Sequence, residues 1–172
     1  RLTDITIPNG VIHIGDGAFD ETQWSNDQKE PFVILGNGIL YKYKGKDSKV
    51  TIPDNVKSIG TWAFKDCENL TSITIPESLT SIGHGAFFGC KNITNITIPN
   101  GVTSIENGAF FNCESLTGIA IPDGVKSIGY KAFLGCKSLK SITLPDSVTS
   151  IGECAFFNCE SLTGIAIPDG VK

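Results

Sequence analysis

The sequence lacks the features that usually support catalysis, metal binding or membrane insertion. It has no methionine, only two histidines and no C-x-x-C pair, so zinc is not expected. It also has no H-E-x-x-H motif, no phosphate-binding glycine loop and no nucleophile elbow. The net charge is −4 without a Lys/Arg cluster, which argues against nucleic acid, and 40% hydrophobic content does not suggest a membrane span. We therefore expect a non-enzymatic chain with no catalytic residue, no metal, no cofactor, no nucleic-acid partner and no membrane insertion.

The sequence instead consists largely of one 23-residue repeat, L-x-x-I-x-I-P-x-x-V-x-x-I-G-x-x-A-F-x-x-C-x-x. Residues 109–126 recur letter for letter as 155–172. A period of this size is typical of a solenoid, in which each unit buries its apolar face against its neighbours. We predict a single domain, 1–172, with units at 2–24, 47–69, 70–92, 93–115, 116–138 and 139–161, a partial unit at 162–172 and a degenerate hairpin unit at 25–46.

One unit, with positions counted from its leucine, indicates its own local structure. Isoleucines at positions 4 and 6, such as Ile96 and Ile98, predict a short strand, and stacked copies predict a parallel sheet. Proline at position 7 ends the strand and begins a turn. Val102 and Ile105, at positions 10 and 13, form a second inward edge. Ala, Phe and Cys at positions 17, 18 and 21 are expected on one side of a single helical turn.

Two further positions follow a rule along the repeat. Position 20 is Gly or Asn in most units, the residues that best tolerate a left-handed conformation where a turn ends. Position 22 alternates in sign from unit to unit, so neighbouring rungs would place opposite charges side by side. The alternating residues are Glu68, Lys91, Glu114, Lys137 and Glu160.

The motif I-x-I-P-x-x-V-x-x-I-G-x-x-A-F-x-x-C-x-x-L resembles the BspA-like class of leucine-rich repeats, over residues 2–24 and 47–172. Thr22 in place of Cys, Glu106 in place of Gly, and residues 25–46 depart from it. Together with the repeat, the resemblance predicts an α/β-type, mainly β solenoid, a right-handed superhelix of about seven rungs with a parallel sheet and short helical turns. The resemblance also implies an extracellular or cell-surface location and a role in adhesion and protein binding.

The interruption at 25–46 predicts a β-hairpin over residues 32–44. Two β-prone runs are joined through Gly36-Asn37-Gly38, and Asn-Gly is the strongest short hairpin signal. The hairpin either continues the stack as a decayed rung or protrudes to bind a partner. Trp24, just before it, is expected to cover an edge of the core.

Two columns of the repeat carry residue types that bind metals. Five of the six cysteines recur at position 21, where we expect buried, reduced thiols rather than disulfides. Cys154 falls outside the column and is a candidate exposed thiol. The acidic residues that follow the prolines are explained by turn formation, whereas a calcium site needs six to eight oxygen ligands.

Positions 15, 16 and 19 vary most, which suggests that the scaffold does not dictate them. Aromatic residues at these positions are candidates for partner binding, because exposed apolar surface often marks interaction sites. The alternative is that the position 19 side chains lie flat over the turn and protect the core. The candidate ligand-binding residues are Trp62, His84, Phe88, Phe111, Tyr130 and Phe157.

Three functions fit this sequence. The favoured one is a protein-protein interaction or adhesion module that binds a protein or host-surface ligand. The alternatives are a structural spacer between domains and a carbohydrate-binding accessory module of an extracellular enzyme, which requires aromatics such as Trp24, Trp62 and Tyr130 to cluster in solvent. The chain begins and stops inside the repeat, so we expect any export signal or anchor to lie outside it, and we expect open ends to allow end-to-end self-association.

Overall fold

The repeat folds into a mainly β solenoid with successive rungs at the 23-residue spacing, as the sequence predicts. The structure is a computed structural model and describes residues 2–172. Five rungs carry two strands each, fewer than the seven rungs expected. The elements are α1 (Gln23–Asp27), β1 (Phe32–Leu35), β2 (Ile39–Tyr43), β3 (Lys49–Thr51), β4 (Ser58–Ile59), β5 (Ser72–Thr74), β6 (Ser81–Ile82), β7 (Asn95–Thr97), β8 (Ser104–Ile105), β9 (Gly118–Ala120), β10 (Ser127–Ile128), β11 (Ser141–Thr143) and β12 (Ser150–Ile151).

The first sheet forms around the isoleucine at position 4. In β5, β7 and β11 this isoleucine is buried between two exposed residues, the alternation expected of a strand with one face on the core. The five strands are parallel, in the order β11-β9-β7-β5-β3, and equivalent residues pair, as Ile96 does with Ile119. The outer face of this sheet carries small polar side chains, among them Ser72 and Thr74.

A second parallel sheet runs along the opposite inward edge, where the repeat had suggested only a line of apolar side chains. It forms at positions 12 and 13, where residues such as Ser81 and Ile82 pair with the equivalent Ser58 and Ile59 of the preceding rung. Its order is β1-β2-β4-β6-β8-β10-β12, with β1 antiparallel and the others parallel. The sequence predicts the first sheet but not this one, because strands of two residues are too short to show a period-two pattern.

Each rung closes through hydrogen-bonded turns, and the predicted helical turn is absent from residues 2–172. Positions 16 and 20 both adopt positive φ, and two left-handed residues four apart cannot continue a right-handed helix. The sequence predicts the left-handed conformation at position 20. It does not predict it at position 16, where the variable residues suggest no backbone constraint. The position 16 values are 57° at Trp62, 56° at Gly85, 59° at Gly108, 55° at Lys131 and 57° at Cys154.

A column of stacked phenylalanines fills the core. Phe87 and Phe110 have ring centroids 5.4 Å apart, and Phe110 and Phe133 are 5.3 Å apart, with nearly parallel rings. The column continues to Phe64 and ends against Tyr43 of the hairpin at 5.1 Å. These phenylalanines are fully buried, so the column links the hairpin to the regular rungs through continuous apolar contact.

The cysteine column lies beside the phenylalanines as free thiols, as expected. Four of the five thiols in the column donate to a phenylalanine carbonyl oxygen of the preceding rung, for example Cys113 Sγ to Phe87 O at 3.2 Å. Burial raises the pKa of Cys67 and of Cys159, at the two ends of the column, to about 11. Burial therefore keeps these sulfurs protonated and poorly nucleophilic at neutral pH.

Two kinds of contact between rungs, a glycine packing contact and an ion pair, occur at every second junction. The stack therefore has a 46-residue period. A Cβ on Gly89 or Gly135 would overlap the carboxylate of Asp66 or the amide of Asn112 on the preceding rung. Ion pairs form across the same junctions, between Glu68 and Lys91 at 2.6 Å and between Glu114 and Lys137 at 2.9 Å. The charge alternation predicted from the sequence thus pairs rungs two by two.

The hairpin forms as predicted and serves as a rung. β2 pairs with β4 in the second sheet, and β1 occupies the outer edge of β2. Because β1 takes this edge, residues 2–22 form no strand, although they had been assigned a full unit. They pack on the outer face of the hairpin in a separate small core, where Trp24 is buried as expected.

Candidate interaction site

The turns that close the regular rungs form one continuous surface, which we call the turn edge. Its backbone is a ladder: in the first turn, the amides of Trp62, Phe64 and Asp66 donate to carbonyl oxygens of the next rung at 3.0, 2.8 and 2.8 Å. The intervening amides bond within their own turn, as Lys65 N does to Trp62 O at 3.0 Å. The turn edge comprises residues 61–66, 84–89, 107–112, 130–135 and 153–158.

Four of the six candidate residues come together on this edge. The Trp62 ring meets His84 at 4.9 Å and Phe88 at 4.8 Å between centroids, both edge to face. Phe88 stacks on Phe111 at 4.7 Å. We call Trp62, His84, Phe88 and Phe111 the aromatic row; it crosses three rungs.

The aromatic row rests on the turns and is open on its outer side. Gly85 makes room for the indole, since a Cβ there would lie 2.5 Å from the Trp62 ring. Trp62, Phe88 and Phe111 are half-buried, and His84 is exposed. One side of these rings therefore lies flat over the turns and protects the core, as one of the two alternatives predicted. The other side faces solvent.

The remaining two candidates lie apart from the row. Tyr130 is 42% exposed; its ring lies 4.8 Å from Lys131 Nζ, and its amide donates to Asn107 Oδ1 at 2.8 Å. Phe157, at the far end of the edge, is 58% exposed. Tyr130 lies three rungs from Trp62, about 14 Å at strand spacing, and Trp24 is buried in the N-terminal core. The aromatic cluster that the carbohydrate hypothesis requires of these residues is therefore absent from the described chain.

A cleft that the sequence patterns did not predict lies beside the aromatic row. The cleft has a volume of about 340 Å³ and lies between the N-terminal unit and the first regular turn. The Lys42 ammonium pairs with Asp20 at 3.1 Å in it, and Lys65 Nζ lies 5.2 Å from the centre of the Trp62 ring. The only sequence signal for this feature was the hairpin, which replaces a full unit and so omits its turn.

Within residues 2–172, no three His, Cys, Asp or Glu side chains converge as a metal site would require. Over the same residues, no helix has the length and apolarity needed to cross a membrane. The polar features of the turn edge are instead single charged side chains beside aromatic rings, an arrangement found in protein interfaces.

Comparison with known proteins identifies relatives of the repeat. The family described as "BspA type Leucine rich repeat region" matches residues 1–31 and 33–163, in six copies. A search of curated proteins found no match. A leucine-rich repeat protein of T. pallidum is 36% identical with a TM-score of 0.78, covering 82% of this chain and 70% of its own.

Two further solved structures share the fold. A leucine-rich cell surface protein of Faecalibacterium prausnitzii is 38% identical with a TM-score of 0.73, covering 78% of this chain and 36% of its own. A leucine-rich repeat protein of Bacteroides ovatus is 30% identical with a TM-score of 0.62, covering 83% of this chain and 45% of its own. This chain thus spans less than half the length of these two relatives.

Proposed function

Because the chain belongs to the BspA-type leucine-rich repeat family, we propose that it is a non-enzymatic protein-interaction module of a cell-surface or secreted protein. The F. prausnitzii relative, described as a cell surface protein, supports the proposed location. Members of this repeat family are typically interaction or surface modules. The partner is a protein or a host-surface ligand.

The aromatic row is the observation that carries this proposal. Interface energy concentrates in a few aromatic anchors that pack centrally and exclude water. Trp62, Phe88 and Phe111 form such a cluster, already fixed by edge-to-face and stacked contacts, so little side-chain entropy is lost on binding. The neighbouring His84 and Lys65 supply polar contacts at its rim. The row therefore suits a protein surface that presents apolar side chains.

The test is adhesion of the immobilised chain to host cells and to an array of extracellular matrix proteins. Replacing Trp62 and Phe111 by alanine should weaken binding at least tenfold, since two anchors are lost. The matched control is Thr74→Ala with Thr97→Ala, which removes two exposed side chains from the outer face of the first sheet. Circular dichroism melting confirms that each variant is folded.

The opposite result would favour a spacer. A spacer holds other domains apart and has no binding surface, so it would retain its function when Trp62, Phe111 and Tyr130 are all replaced by alanine. Equal adhesion of that triple variant and the wild type would therefore refute the interaction proposal. Loss of adhesion in the Thr74/Thr97 control, but not in the row variants, would move the site to the outer face of the first sheet.

A further inference from the structure

The hairpin occupies a rung of the second sheet but has no turn on the turn edge. β2 pairs with β4 like any other rung and ends at Tyr43. Every regular rung continues from this point into a turn such as residues 61–66. The place of the missing turn is the cleft of about 340 Å³, whose lining includes Tyr41, Lys42 and Tyr43.

One wall of the cleft carries unpaired acceptors of the turn ladder. In each later rung, the carbonyls at positions 15 and 19 accept amides of the preceding turn, as His84 O and Phe88 O do. The equivalent carbonyls on the cleft wall are those of Thr61 and Lys65, and neither accepts a hydrogen bond from any group of residues 2–172. Only the central carbonyl, Ala63 O, is paired, to Tyr43 N at 2.8 Å.

The N-terminal unit, whose Asp16 and Asp20 line the other side of the cleft, carries unpaired donors at the equivalent ladder positions. The Phe19 amide donates across the cleft to the Tyr41 hydroxyl oxygen at 3.1 Å, so a side chain substitutes for the missing backbone at the centre. The amides of Gly17 and Glu21, one ladder step to either side, donate to nothing within residues 2–172. On both sides of the cleft, therefore, the central backbone group is hydrogen-bonded and the two flanking backbone groups have no partner within residues 2–172.

The charge of the cleft selects among segments that could enter it. Asp16 and Asp66 line it, and neither forms an ion pair within residues 2–172. Asp20 is already paired with Lys42, and Lys65 lies over the Trp62 ring. Two uncompensated carboxylates beside an aromatic face match a lysine or arginine side chain.

We propose that this cleft binds a short peptide segment of a partner protein, which takes the place of the missing turn and places a basic side chain between Asp16 and Asp66. Its amides would donate to Thr61 O and Lys65 O, and its carbonyls would accept from the free amides of the N-terminal unit. Main-chain pairing of this kind gives affinity, and the side-chain pocket gives specificity. The inference stands apart from the proposed role of the aromatic row, with which it shares Trp62 and Lys65.

The probe is the blocked pentapeptide Ac-Ala-Ala-Arg-Ala-Ala-NH2, titrated to 10 mM into the ¹⁵N-labelled chain. We expect millimolar binding, with amide shifts concentrated at residues 16–21 and 61–66. Two companion peptides separate the contributions. Glutamate in place of arginine should weaken binding about tenfold. N-methylation of the first and last alanines should weaken it similarly, because these two amides have the four-residue spacing of the ladder donors, such as Trp62 and Asp66, that pair with positions 15 and 19.

The chain's own repeats supply matched variants. Asn107 and Asn112 occupy the positions equivalent to Asp16 and Asp66, so Asp16→Asn with Asp66→Asn removes both charges with residues the turn already accepts. This pair should weaken the arginine peptide three- to tenfold. Asp123→Asn, on an exposed turn outside the cleft, should leave its binding unchanged.

Three results would overturn the proposal: no binding at 10 mM, equal binding of the arginine and glutamate peptides, or shifts that map outside the cleft. Equal binding of the N-methylated and parent peptides would refute the main-chain pairing on which it rests. Phe88→Ala with Phe111→Ala, at two residues that do not line the cleft, tests the aromatic row separately in the adhesion assay. Failure of either proposal is therefore distinguishable from failure of the other.

Discussion

The regular stack, residues 47–161, and the N-terminal part, residues 2–44, use similar apolar residues in different ways. In the stack, each rung repeats the contacts of the last, and the phenylalanine column runs through it without a break. In the N-terminal part, a hairpin is buried on both faces, between that column and a small core around Trp24. Repetition therefore gives the stack its uniform ladder, and the irregular part interrupts that ladder at the cleft.

This difference has an energetic counterpart. A rung inside the stack is held by two sheets and the turn ladder, all pairing with the same neighbours. The N-terminal unit forms no strand and is held to the hairpin by side-chain packing and single hydrogen bonds, such as that from the Phe19 amide to Tyr41. Elements with few cooperative contacts open at lower free energy, so we expect the N-terminal part to open before the stack.

The largest expected effect comes from breaking the phenylalanine column. Phe110→Ala removes a fully buried ring stacked on both sides and should cost about 3–5 kcal/mol of unfolding free energy. Phe19→Ala, at a half-buried ring of the N-terminal core, should cost clearly less and should mainly speed amide exchange within residues 2–44. Urea unfolding followed by circular dichroism measures the first effect, and hydrogen exchange the second. Equal losses from the two variants would contradict the distinction between the regions.

The contrast also explains which features the sequence could predict. The sequence was sufficient to predict the solenoid and the first sheet, from local features of the repeat such as Ile96 and Pro99. It also predicted the hairpin, from the local turn signal Asn37-Gly38. It could not predict the second sheet, whose two-residue strands have no pattern of their own. Nor could it predict the positive φ at Trp62, since tryptophan carries no left-handed preference, and packing over Gly85 together with the ladder hydrogen bond from Trp62 N to His84 O holds it there.

The two parts of the candidate site, the aromatic row and the cleft, also differ in how well the sequence predicts them. Phe88 and Phe111 share repeat position 19, and Trp62 and His84 fall at the nearby positions 16 and 15, so the proximity of the row follows from rung spacing and the sequence could single these residues out. The cleft is lined by Asp16 and Thr61, which share position 15 but belong to units separated by the hairpin, and by Tyr41 of the hairpin, which has no position in the repeat. Their proximity depends on a turn that is missing, and the spacing of the residues that are present does not reveal it.

A glycine comparison separates backbone strain from contact with the neighbouring rung. Gly135 in the stack and Gly17 in the N-terminal unit both have positive φ, 75° and 63°. A Cβ on Gly135 would overlap Asn112, whereas nothing lies within 4 Å of one on Gly17. Alanine at either should cost about 1–2 kcal/mol for the left-handed backbone, and only Gly135→Ala should cost more. Urea unfolding of both variants tests this, and Gly135→Ala should lose its excess cost when combined with Asn112→Gly.

The smallest expected effect is a dependence on alkaline pH, because the end thiols of the column are only half-buried. All six cysteines lie in the stack and none in residues 2–44. Burial raises the pKa of Cys67 from its ordinary value of 9.0 to about 11, so this thiol ionises in the unfolded chain before it does in the folded one. The resulting stabilisation is complete below pH 9 and is lost as pH rises through 11. Urea midpoints measured from pH 8 to 11 should fall less steeply for Cys67→Ala than for the wild type, and an identical slope would show that the Cys67 thiol is already accessible to solvent in the folded rung.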